Sequence, residues 1–241
     1  MQHAGTDRPR TPQATFHRVA PYYDAMNSIL SLGFDRRWRR QTVAALNLRP
    51  GARVLDVATG TGALAAEIHR RTSGNVAITG CDLNESMLSV ARRRAQRARA
   101  NVQLVQCDAS KLPFEPGAFD VVTIGFAIDD MPDREACARE MWRVLSPGGQ
   151  LALLELGQPD APWLKMFYRA YLRIFRTLRH FSVQGYDHLE QEILKYRGPD
   201  AVERLLSATG FARYQRKSLA GGVARLHLAA KLGDALERGA A

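Results

Sequence analysis

The chain has 241 residues, of which 46% are hydrophobic and 24% charged, a length that suits one α/β domain better than two independent cores. The formal net charge of +10 favours an anionic partner, but the basic residues follow no DNA- or RNA-binding module, which argues against a nucleic acid partner. The longest apolar runs fall far short of the roughly 20 residues of a membrane-spanning helix, and the 3 cysteines form no CxxC pair, which argues against a disulfide framework and a metal site.

The first residues of the chain do not look like a targeting signal. Residues 1–13 lack an apolar segment and a small-residue cleavage site, so we predict a disordered leader on a cytoplasmic protein. Residues 14–232 are expected to form a single domain, which begins with a helical pattern from residue 14 to about 47. Residues 233–241 are expected to form a flexible tail.

Strand and helix patterns then alternate along the middle of the chain. Strands are predicted in ARVLDV, AITGCDL, NVQLVQCDA, AFDVVTIGFAI and GGQLALLEL. Helices are predicted in ALAAEIHRRT, NESMLSVARRRAQRA and REACAREMWRVLSP, the second of them with Asn84 or Ser86 as its N-cap. This alternation predicts right-handed crossovers and a parallel sheet.

The C-terminal part of the chain departs from this alternation. A helix is predicted in DAVERLLSATGF, followed by the strands ARYQRKSLA and VARLHLAAK, with Gly221 and Gly222 in a hairpin turn between them. Residues 158–198 separate the fifth strand from that helix and are predicted to form a helical lid. The expected fold is therefore a doubly wound α/β domain with a mostly parallel, seven-stranded, Rossmann-like sheet and an antiparallel C-terminal hairpin.

A glycine-rich turn follows the first predicted strand, where doubly wound sheets bind their ligands. Gly60 and Gly62 would allow a ligand to approach the backbone closely. Asp82 ends the second strand and is placed to accept hydrogen bonds from both hydroxyls of a ribose. Asp108, beside Ala109, ends the third strand, where an adenine amino group could donate to it.

The three acids Asp56, Asp82 and Asp108 distinguish between two nucleotide cofactors. An acidic surround disfavours a pyrophosphate and favours the cationic sulfonium and ammonium groups of S-adenosylmethionine. A nicotinamide dinucleotide would leave Asp56 and Asp108 without a clear role. The alternative is that each acid only caps the turn or helix that follows it.

Several motifs carry a family resemblance. Four segments resemble the motifs of class I S-adenosylmethionine-dependent methyltransferases: VLDVATGTG, CDLNESML, QCDASKLPFEPGAFD and RVLSPGG. VAPYYDAMN and LAGGVARLH are similar to the ubiquinone/menaquinone biosynthesis C-methyltransferase family in particular, and the likeness runs from about Phe16 to Lys231. The resemblance implies cofactor contacts from Thr61, Asp82, Asp108 and Ala109 and a pocket shaped by Asp56, Gly60 and Gly62. Ala58, Leu83 and Gly125 complete the predicted cofactor-binding set.

The chain also departs from this family at the acceptor side. The resemblance implies histidine at Asp35, lysine at Ser146, and serine at Gly125, Gly157 and Glu192. The family's GLRN corresponds to AIDD, from Ala127 to Asp130, beside the place where the methyl group is presented. Replacement of a cation and an amide by two acids predicts altered acceptor chemistry.

Methylation of a ring carbon ortho to a hydroxyl is helped by a base that removes the hydroxyl proton. Asp129 and Asp130 are the first candidates for this base, and His188 and Glu192 in the lid come next. The alternative is that Asp129 or Asp130 caps the following helix or faces solvent, and that His188 is structural.

The segment 161–181 combines aromatic and basic residues at helical spacing. An acceptor with an apolar tail could enter beneath it, and its basic side could contact anionic headgroups as a peripheral membrane surface. The alternative is a helix packed on the sheet with a solvated charged face. Whether the protein forms a homodimer is left open.

We therefore expect an S-adenosylmethionine-dependent methyltransferase that acts on carbon or oxygen of a small hydroxylated aromatic or quinone-like acceptor. The AIDD sequence favours secondary metabolism over respiratory quinol C-methylation, which remains the alternative. A relative that catalyses a non-methylating reaction and a cofactor-binding module without catalysis also remain open.

Overall fold

A computed structural model describes residues 20–178 and 199–233. The predicted leader, nearly all of the predicted tail and residues 179–198 of the predicted lid lie outside the described residues. The helices are α1 (Tyr23–Leu30), α2 (Phe34–Ala44), α3 (Ala63–Thr72), α4 (Glu85–Ala98), α5 (Arg134–Val144), α6 (Pro162–Leu178) and α7 (Pro199–Thr209). The strands are β1 (Arg53–Val57), β2 (Ala77–Asp82), β3 (Val102–Gln106), β4 (Phe119–Gly125), β5 (Leu145–Leu156), β6 (Ala212–Leu219) and β7 (Ala224–Ala230). Short 3₁₀ turns occupy Ile128–Asp130 and Ala220–Gly222.

The seven strands form one sheet in the order β3-β2-β1-β4-β5-β7-β6. Strands β1 to β5 pair in parallel, whereas β7 runs antiparallel to both β5 and β6. The predicted doubly wound sheet with an antiparallel C-terminal hairpin is thus confirmed. The chain order reverses between β1 and β4, so the carboxyl ends of these two strands flank the crevice in which such sheets bind ligands.

Helices cover both faces of the sheet because the central strands are apolar on both sides. On one face α5 and α7 pack against β1, β4 and β5 through residues such as Ile124, Leu153 and Leu206. On the other face α2 and α3 cover the same strands through residues such as Trp38, Ile68 and Leu154. Full burial of each large aliphatic side chain contributes roughly 1.5–3 kcal/mol, so these two layers hold the carboxyl edge rigidly.

The helical pattern from residue 14 to about 47 was predicted as one stretch, and in its described part it is two helices. Leu32 and Gly33 have positive φ angles of 51° and 78°, and the amide of Gly33 donates to the carbonyl of Ser28 at 2.6 Å. This left-handed termination ends α1 and turns the chain into α2. The turn lets α1 and α2 contact different parts of the molecule.

Two other predicted boundaries differ from the structure. The helix predicted to include residues 145–147 ends at Val144, and Leu145 already pairs with Phe119 of β4. Pro147 explains this end, since the residue before a proline is disfavoured in helical conformation. Strand β3 ends at Gln106, so Asp108 lies in the following loop.

The predicted hairpin turn is confirmed at Gly221 and Gly222, whose φ angles are 64° and 96°. In the described parts of the chain, every helix is too short or too polar to cross a bilayer.

Candidate cofactor and acceptor site

Asp56 lies near the carboxyl end of β1 and is 1% exposed. Its carboxylate accepts hydrogen bonds from the hydroxyls of Thr59, at 2.6 Å, and Thr123, at 2.7 Å. Burial raises the pKa of Asp56 to about 6, although both hydroxyls act to lower it. Asp56 therefore joins the glycine-rich loop to β4.

Three loop residues after β1 have left-handed backbone conformations: Ala58, Gly60 and Gly62 have φ angles of 49°, 56° and 75°. A Cβ on Gly62 would lie 3.1 Å from the Cβ of Ala91 on α4, so this glycine allows α3 and α4 to pack. A Cβ on Gly60 would meet only the carbonyl of Ala58, at 4.0 Å. Gly60 thus leaves open space along the loop, which suits the close approach of a ligand.

Asp82 ends β2 and binds the glycine-rich loop directly. One carboxylate oxygen accepts from the amide of Gly60 and the other from the amide of Asn84, both at 2.8 Å. Asn84 is also the N-cap of α4, as predicted, because its side chain accepts from the amides of Ser86 and Met87. Burial raises the pKa of Asp82. Each carboxylate oxygen of Asp82 can still accept a further hydrogen bond, for example from a ribose hydroxyl.

Three more predicted cofactor residues lie near Asp82 at the carboxyl edge of the sheet: Leu83, Asp108 and Ala109. Leu83 is 45% exposed, which is unusual for leucine and suits contact with a flat apolar ring. Asp108 is exposed and accepts from the amide and the hydroxyl of Ser110 at 2.8 and 2.7 Å, and these hydrogen bonds lower its pKa. Ala109 is 8% exposed and belongs to the core, so its backbone is the part available to a ligand.

Helix α1 lies over the glycine-rich loop, which the sequence analysis did not foresee. The hydroxyl of Thr61 donates to Asp24 of α1 at 2.7 Å, and Arg94 of α4 forms an ion pair with the same carboxylate. Arg94 also donates to the carbonyl of Thr61 at 2.8 Å. In this structure Thr61 therefore connects α1 to the loop. Asp24 belongs to the YYDAMN motif, but no local sequence pattern predicts its hydrogen bond with Thr61.

Gly125 ends β4 at the acceptor side of the site. A Cβ on Gly125 would meet only Leu64, at 3.5 Å, so a serine would fit there. Phe126 follows with a positive φ of 58°, an uncommon backbone conformation for a phenylalanine. Its amide donates to the carbonyl of Leu154 on β5 at 2.6 Å, and the turn directs the chain into the 3₁₀ segment Ile128–Asp130.

The two acids of the AIDD sequence have different surroundings. Asp129 forms a salt bridge with Arg134 at 2.9 Å. The negative charge of Asp130 helps to raise the pKa of Tyr23 on α1, after the larger effect of burial, so Asp130 lies near Tyr23. The N-cap of α5 is Asp133, which accepts from the amide of Ala136 at 2.8 Å. Neither Asp129 nor Asp130 is therefore needed as the cap, and His188 and Glu192 lie outside the described residues.

Asp35, where the family resemblance implies histidine, is a structural residue. It is 5% exposed and accepts from the hydroxyls of Ser28 and Ser31 and from Arg39, at 3.2, 3.1 and 2.5 Å. Burial alone would raise its pKa, but Arg39 and the two hydroxyls outweigh burial and lower it. Asp35 therefore joins α1 to α2.

Gly157, where the resemblance implies serine, is explained by packing against Arg225. A Cβ on Gly157 would lie 2.3 Å from the guanidinium of Arg225 and 2.6 Å from the carbonyl of Gly222. Arg225 is 5% exposed and donates to Asp160 at 2.5 Å. A side chain at position 157 would displace this buried arginine, so the glycine and the arginine belong together.

A buried polar chain crosses the far strands of the sheet. Glu155 and His227 are 2% and 0% exposed, and an oxygen of Glu155 lies 2.7 Å from Nε2 of His227. The other ring nitrogen, Nδ1, lies 2.6 Å from the hydroxyl of Tyr214. The sequence analysis treated Glu155 as part of an apolar strand, although a buried glutamate is rare unless it is paired.

These features fit S-adenosylmethionine at the carboxyl edge of β1, β2 and β4. The open space along Gly60, the carboxylate of Asp82 and the exposed Leu83 occur together, and the acidic surround suits a cationic ligand. A cofactor with a pyrophosphate fits this edge less well, because its negative charges would be repelled by the carboxylates of Asp82 and Asp108.

Known proteins support this assignment across most of the chain. The sequence profile of the ubiE/COQ5 methyltransferase family matches residues 3–231. A ubiquinone/menaquinone biosynthesis C-methyltransferase UbiE from Xanthomonas campestris is 37% identical over 235 residues, which cover 95% of this chain and 93% of the relative. A demethylmenaquinone methyltransferase from Staphylococcus aureus is 35% identical over 223 residues, which cover 91% of this chain and 92% of the relative.

Solved structures with the same fold are more distant in sequence. A SAM-dependent methyltransferase from Aquifex aeolicus has a TM-score of 0.61 at 17% identity and covers 80% of this chain and 89% of its own. The [4+2]-cyclase SpnF has a TM-score of 0.68, also at 17% identity, with 93% and 97% covered. At such identity the likeness establishes the fold alone.

Proposed function

The chain belongs to the ubiE/COQ5 methyltransferase family, and from this premise we propose that it transfers a methyl group to a ring carbon of a reduced quinone precursor. The protein is an S-adenosylmethionine-dependent methyltransferase, as the sequence analysis expected. The observation that carries the choice of acceptor is the 37% identity to a quinone C-methyltransferase over 95% of the chain. This match favours the respiratory quinol, our alternative, over the secondary metabolite that the AIDD sequence had favoured.

Two departures from the family support the same choice. Asp35 is explained by its buried hydrogen bonds, and Gly157 is explained by its packing against Arg225. Neither departure therefore requires an acceptor different from that of the family. The acids Asp129 and Asp130 remain as the altered part of the acceptor side. Their place after β4, next to α1, suits orientation of a hydroxyl on the acceptor ring.

The residues at the carboxyl edge have distinct proposed tasks. When bound, S-adenosylmethionine supplies an electrophilic methyl group on a sulfonium. Asp82 accepts hydrogen bonds from the ribose hydroxyls, Leu83 packs on the adenine ring, and Asp108 accepts from the adenine amino group. The connection of Thr61 to Asp24 holds α1 over the site, where α1 helps to keep water from the reacting atoms.

Helix α6 suits an acceptor that has an apolar tail. Trp163, Met166 and Phe167 are 63%, 63% and 61% exposed, and Arg169 on the same helix is exposed as well. The hydroxyl of Tyr171 donates to the carbonyl of Ile29 on α1 at 3.2 Å, so α6 is anchored beside the helix that covers the site. Apolar side chains flanked by basic ones favour contact with an anionic membrane surface, and sedimentation with phosphatidylglycerol vesicles, compared with neutral vesicles, tests this contact.

The proposed function is tested with isotopically labelled S-adenosylmethionine and three acceptors: reduced demethylmenaquinone with a short side chain, a prenylated benzoquinol and a polar dihydroxybenzoate. We expect methylation of a quinol, with the label on a ring carbon by NMR. Methylation of the polar acceptor alone would favour a secondary metabolite, and a label on oxygen would contradict C-methylation. Binding of the cofactor without formation of S-adenosylhomocysteine from any acceptor would favour a non-methylating relative.

A further inference from the structure

We propose that Glu155, His227 and Tyr214 form the route by which the proton lost during methylation leaves the acceptor site, with Glu155 as the first proton acceptor. This inference rests on the proposed function, because it assigns a task to side chains beside the proposed acceptor site. Asp129 and Asp130 then orient the acceptor, and Glu155 takes its proton.

The geometry forms an unbroken chain across three strands. Oε1 of Glu155 on β5 lies 2.7 Å from Nε2 of His227 on β7, and Nδ1 of His227 lies 2.6 Å from the hydroxyl of Tyr214 on β6. The first two residues are fully buried, whereas Tyr214 is partly exposed on the edge strand. The chain therefore leads from the interior of the molecule to its surface.

The inner end of this chain has an oxygen available for a further interaction. Among the residues that the structure describes, Oε2 of Glu155 is buried and has no hydrogen-bond partner. A buried carboxylate oxygen without a partner is costly in free energy and calls for an explanation, such as a ligand or a proton. Oε1 is held by His227, so Oε2 is the atom that can receive a proton.

Glu155 lies at the edge of the sheet where the acceptor is expected. The preceding residue, Leu154, pairs with Gly125 at the end of β4, and the negative charge of Asp129 acts on Glu155. Glu155 is thus a neighbour of the segment that follows β4. Carboxyl ends of adjacent strands at a topological switch point are the usual place for ligands in such sheets.

The environment of Glu155 favours the protonated form of its carboxyl group. Burial raises its pKa, and Asp129 acts in the same direction, while His227 and Arg225 oppose the rise. A carboxylate whose pKa lies closer to the working pH is a better proton acceptor and donor. Around Tyr214, whose pKa burial raises to about 12, the charged groups are Arg216 on β6 and Asp200 and Glu203 on α7.

The proton balance of the reaction requires such a route. Methylation of a ring carbon breaks one sulfur–carbon bond, forms one carbon–carbon bond and releases one proton from the acceptor. In the proposed route the carboxyl of Glu155 carries its resting proton on Oε1, where it donates to Nε2 of His227. Oε2 accepts the proton from the acceptor as the Oε1 proton moves to Nε2. Nδ1 of His227 gives its own proton to the oxygen of Tyr214, which releases its hydroxyl proton to solvent.

The test compares Glu155→Gln and Tyr214→Phe with the control Glu140→Gln. Glu140 on α5 is paired with Arg143 and accepts from the amide of Leu112, and it belongs to neither the Glu155–His227–Tyr214 chain nor the proposed acceptor residues. We expect Glu155→Gln to lower kcat for the quinol by about 10²–10⁴-fold, since positioned proton transfer contributes that much, and to change the dependence of kcat on pH. Cofactor affinity, measured by calorimetry, should stay unchanged in all three variants.

Tyr214→Phe keeps Glu155 and His227 and is therefore the variant that remains informative if Glu155→Gln fails to fold. We expect a smaller loss of kcat, which added imidazole buffer restores because a small base replaces the outer end of the route. Glu155→Gln activity and pH dependence equal to those of the Glu140→Gln control would overturn the inference. A Tyr214→Phe enzyme with full activity at low buffer concentration would do the same.

A readout without turnover separates this inference from the proposed function. If the parent protein methylates no quinol, the proposed function fails, and the imidazole nitrogens of His227 are then followed by ¹⁵N NMR, with His227→Gln for assignment. We expect Glu155→Gln and Tyr214→Phe each to change the chemical shifts of both imidazole nitrogens, because the two neighbours decide which nitrogen carries the proton. Nitrogen shifts that are the same in the parent protein and in both variants would exclude a coupled hydrogen-bonded chain.

Discussion

The buried carboxyl of Asp56 makes the stability of this protein depend on pH. Its pKa is raised from 3.8 to about 6 in the folded protein, chiefly by burial. Because the folded value lies above the unfolded one, the contribution of Asp56 to stability is full below about pH 3.8 and is lost as the pH rises through about 6. At about 1.36 kcal/mol per pH unit, the loss is about 3 kcal/mol once Asp56 is ionised.

The variant Asp56→Asn isolates this contribution, since asparagine has a similar shape and stays neutral. We expect the difference in free energy of unfolding between Asp56→Asn and the parent to change by about 2.4 kcal/mol between pH 4 and pH 7, in favour of the variant at the higher pH. The stronger hydrogen bonds that Thr59 and Thr123 donate to the ionised carboxylate are already included in the pKa of about 6. The measurement is urea unfolding of both proteins, without cofactor, at pH intervals of half a unit.

The matched control is Asp120→Asn. Its neighbour Arg53 lowers the pKa of Asp120 to about 2, so the stability that Asp120 contributes is lost only as the pH falls below about 4. Between pH 4 and pH 7 the control should therefore differ from the parent by a constant amount. A constant difference for Asp56→Asn as well would refute the reasoning, because Asp56 would then ionise equally in the folded and unfolded states.

Three further predictions concern the site itself. Asp82→Ala should weaken S-adenosylmethionine binding by roughly 10- to 100-fold, since a charge-assisted hydrogen bond contributes about 1.5–3 kcal/mol; calorimetry that finds unchanged affinity would remove Asp82 from the site. At least one of Asp129→Asn and Asp130→Asn should lower turnover, by less than about 10²-fold if the acid only orients the acceptor and by about 10²–10⁴-fold if it is the general base. Parent-like turnover of both across a pH series would make these acids structural. Hydrogen exchange in segment 161–181 should slow when cofactor and acceptor bind, and full protection in the free protein would argue against a lid.

The local sequence was enough to predict the fold of the cofactor half of the protein. The alternation of strands and helices, the turn at Gly60 and Gly62 and the acids at the ends of the strands all lie in short segments. Their periodicity and turn chemistry depend on residues only a few positions apart. The parallel sheet, the edge at which ligands bind and the N-cap Asn84 follow from these patterns together with the handedness of crossovers.

The arrangement of α1 and of the acceptor side could not be predicted from the sequence, because it depends on contacts between distant parts of the chain. Thr61 and Asp24 are 37 residues apart, and Glu155 and His227 are 72 apart. The sequence marked Asp35 as a departure from the family, but only the packing of α1 on α2 gave it a structural role. Local patterns show which side chains a segment presents, whereas the burial that makes a distant acid and base pair arises only when the strands assemble into one sheet.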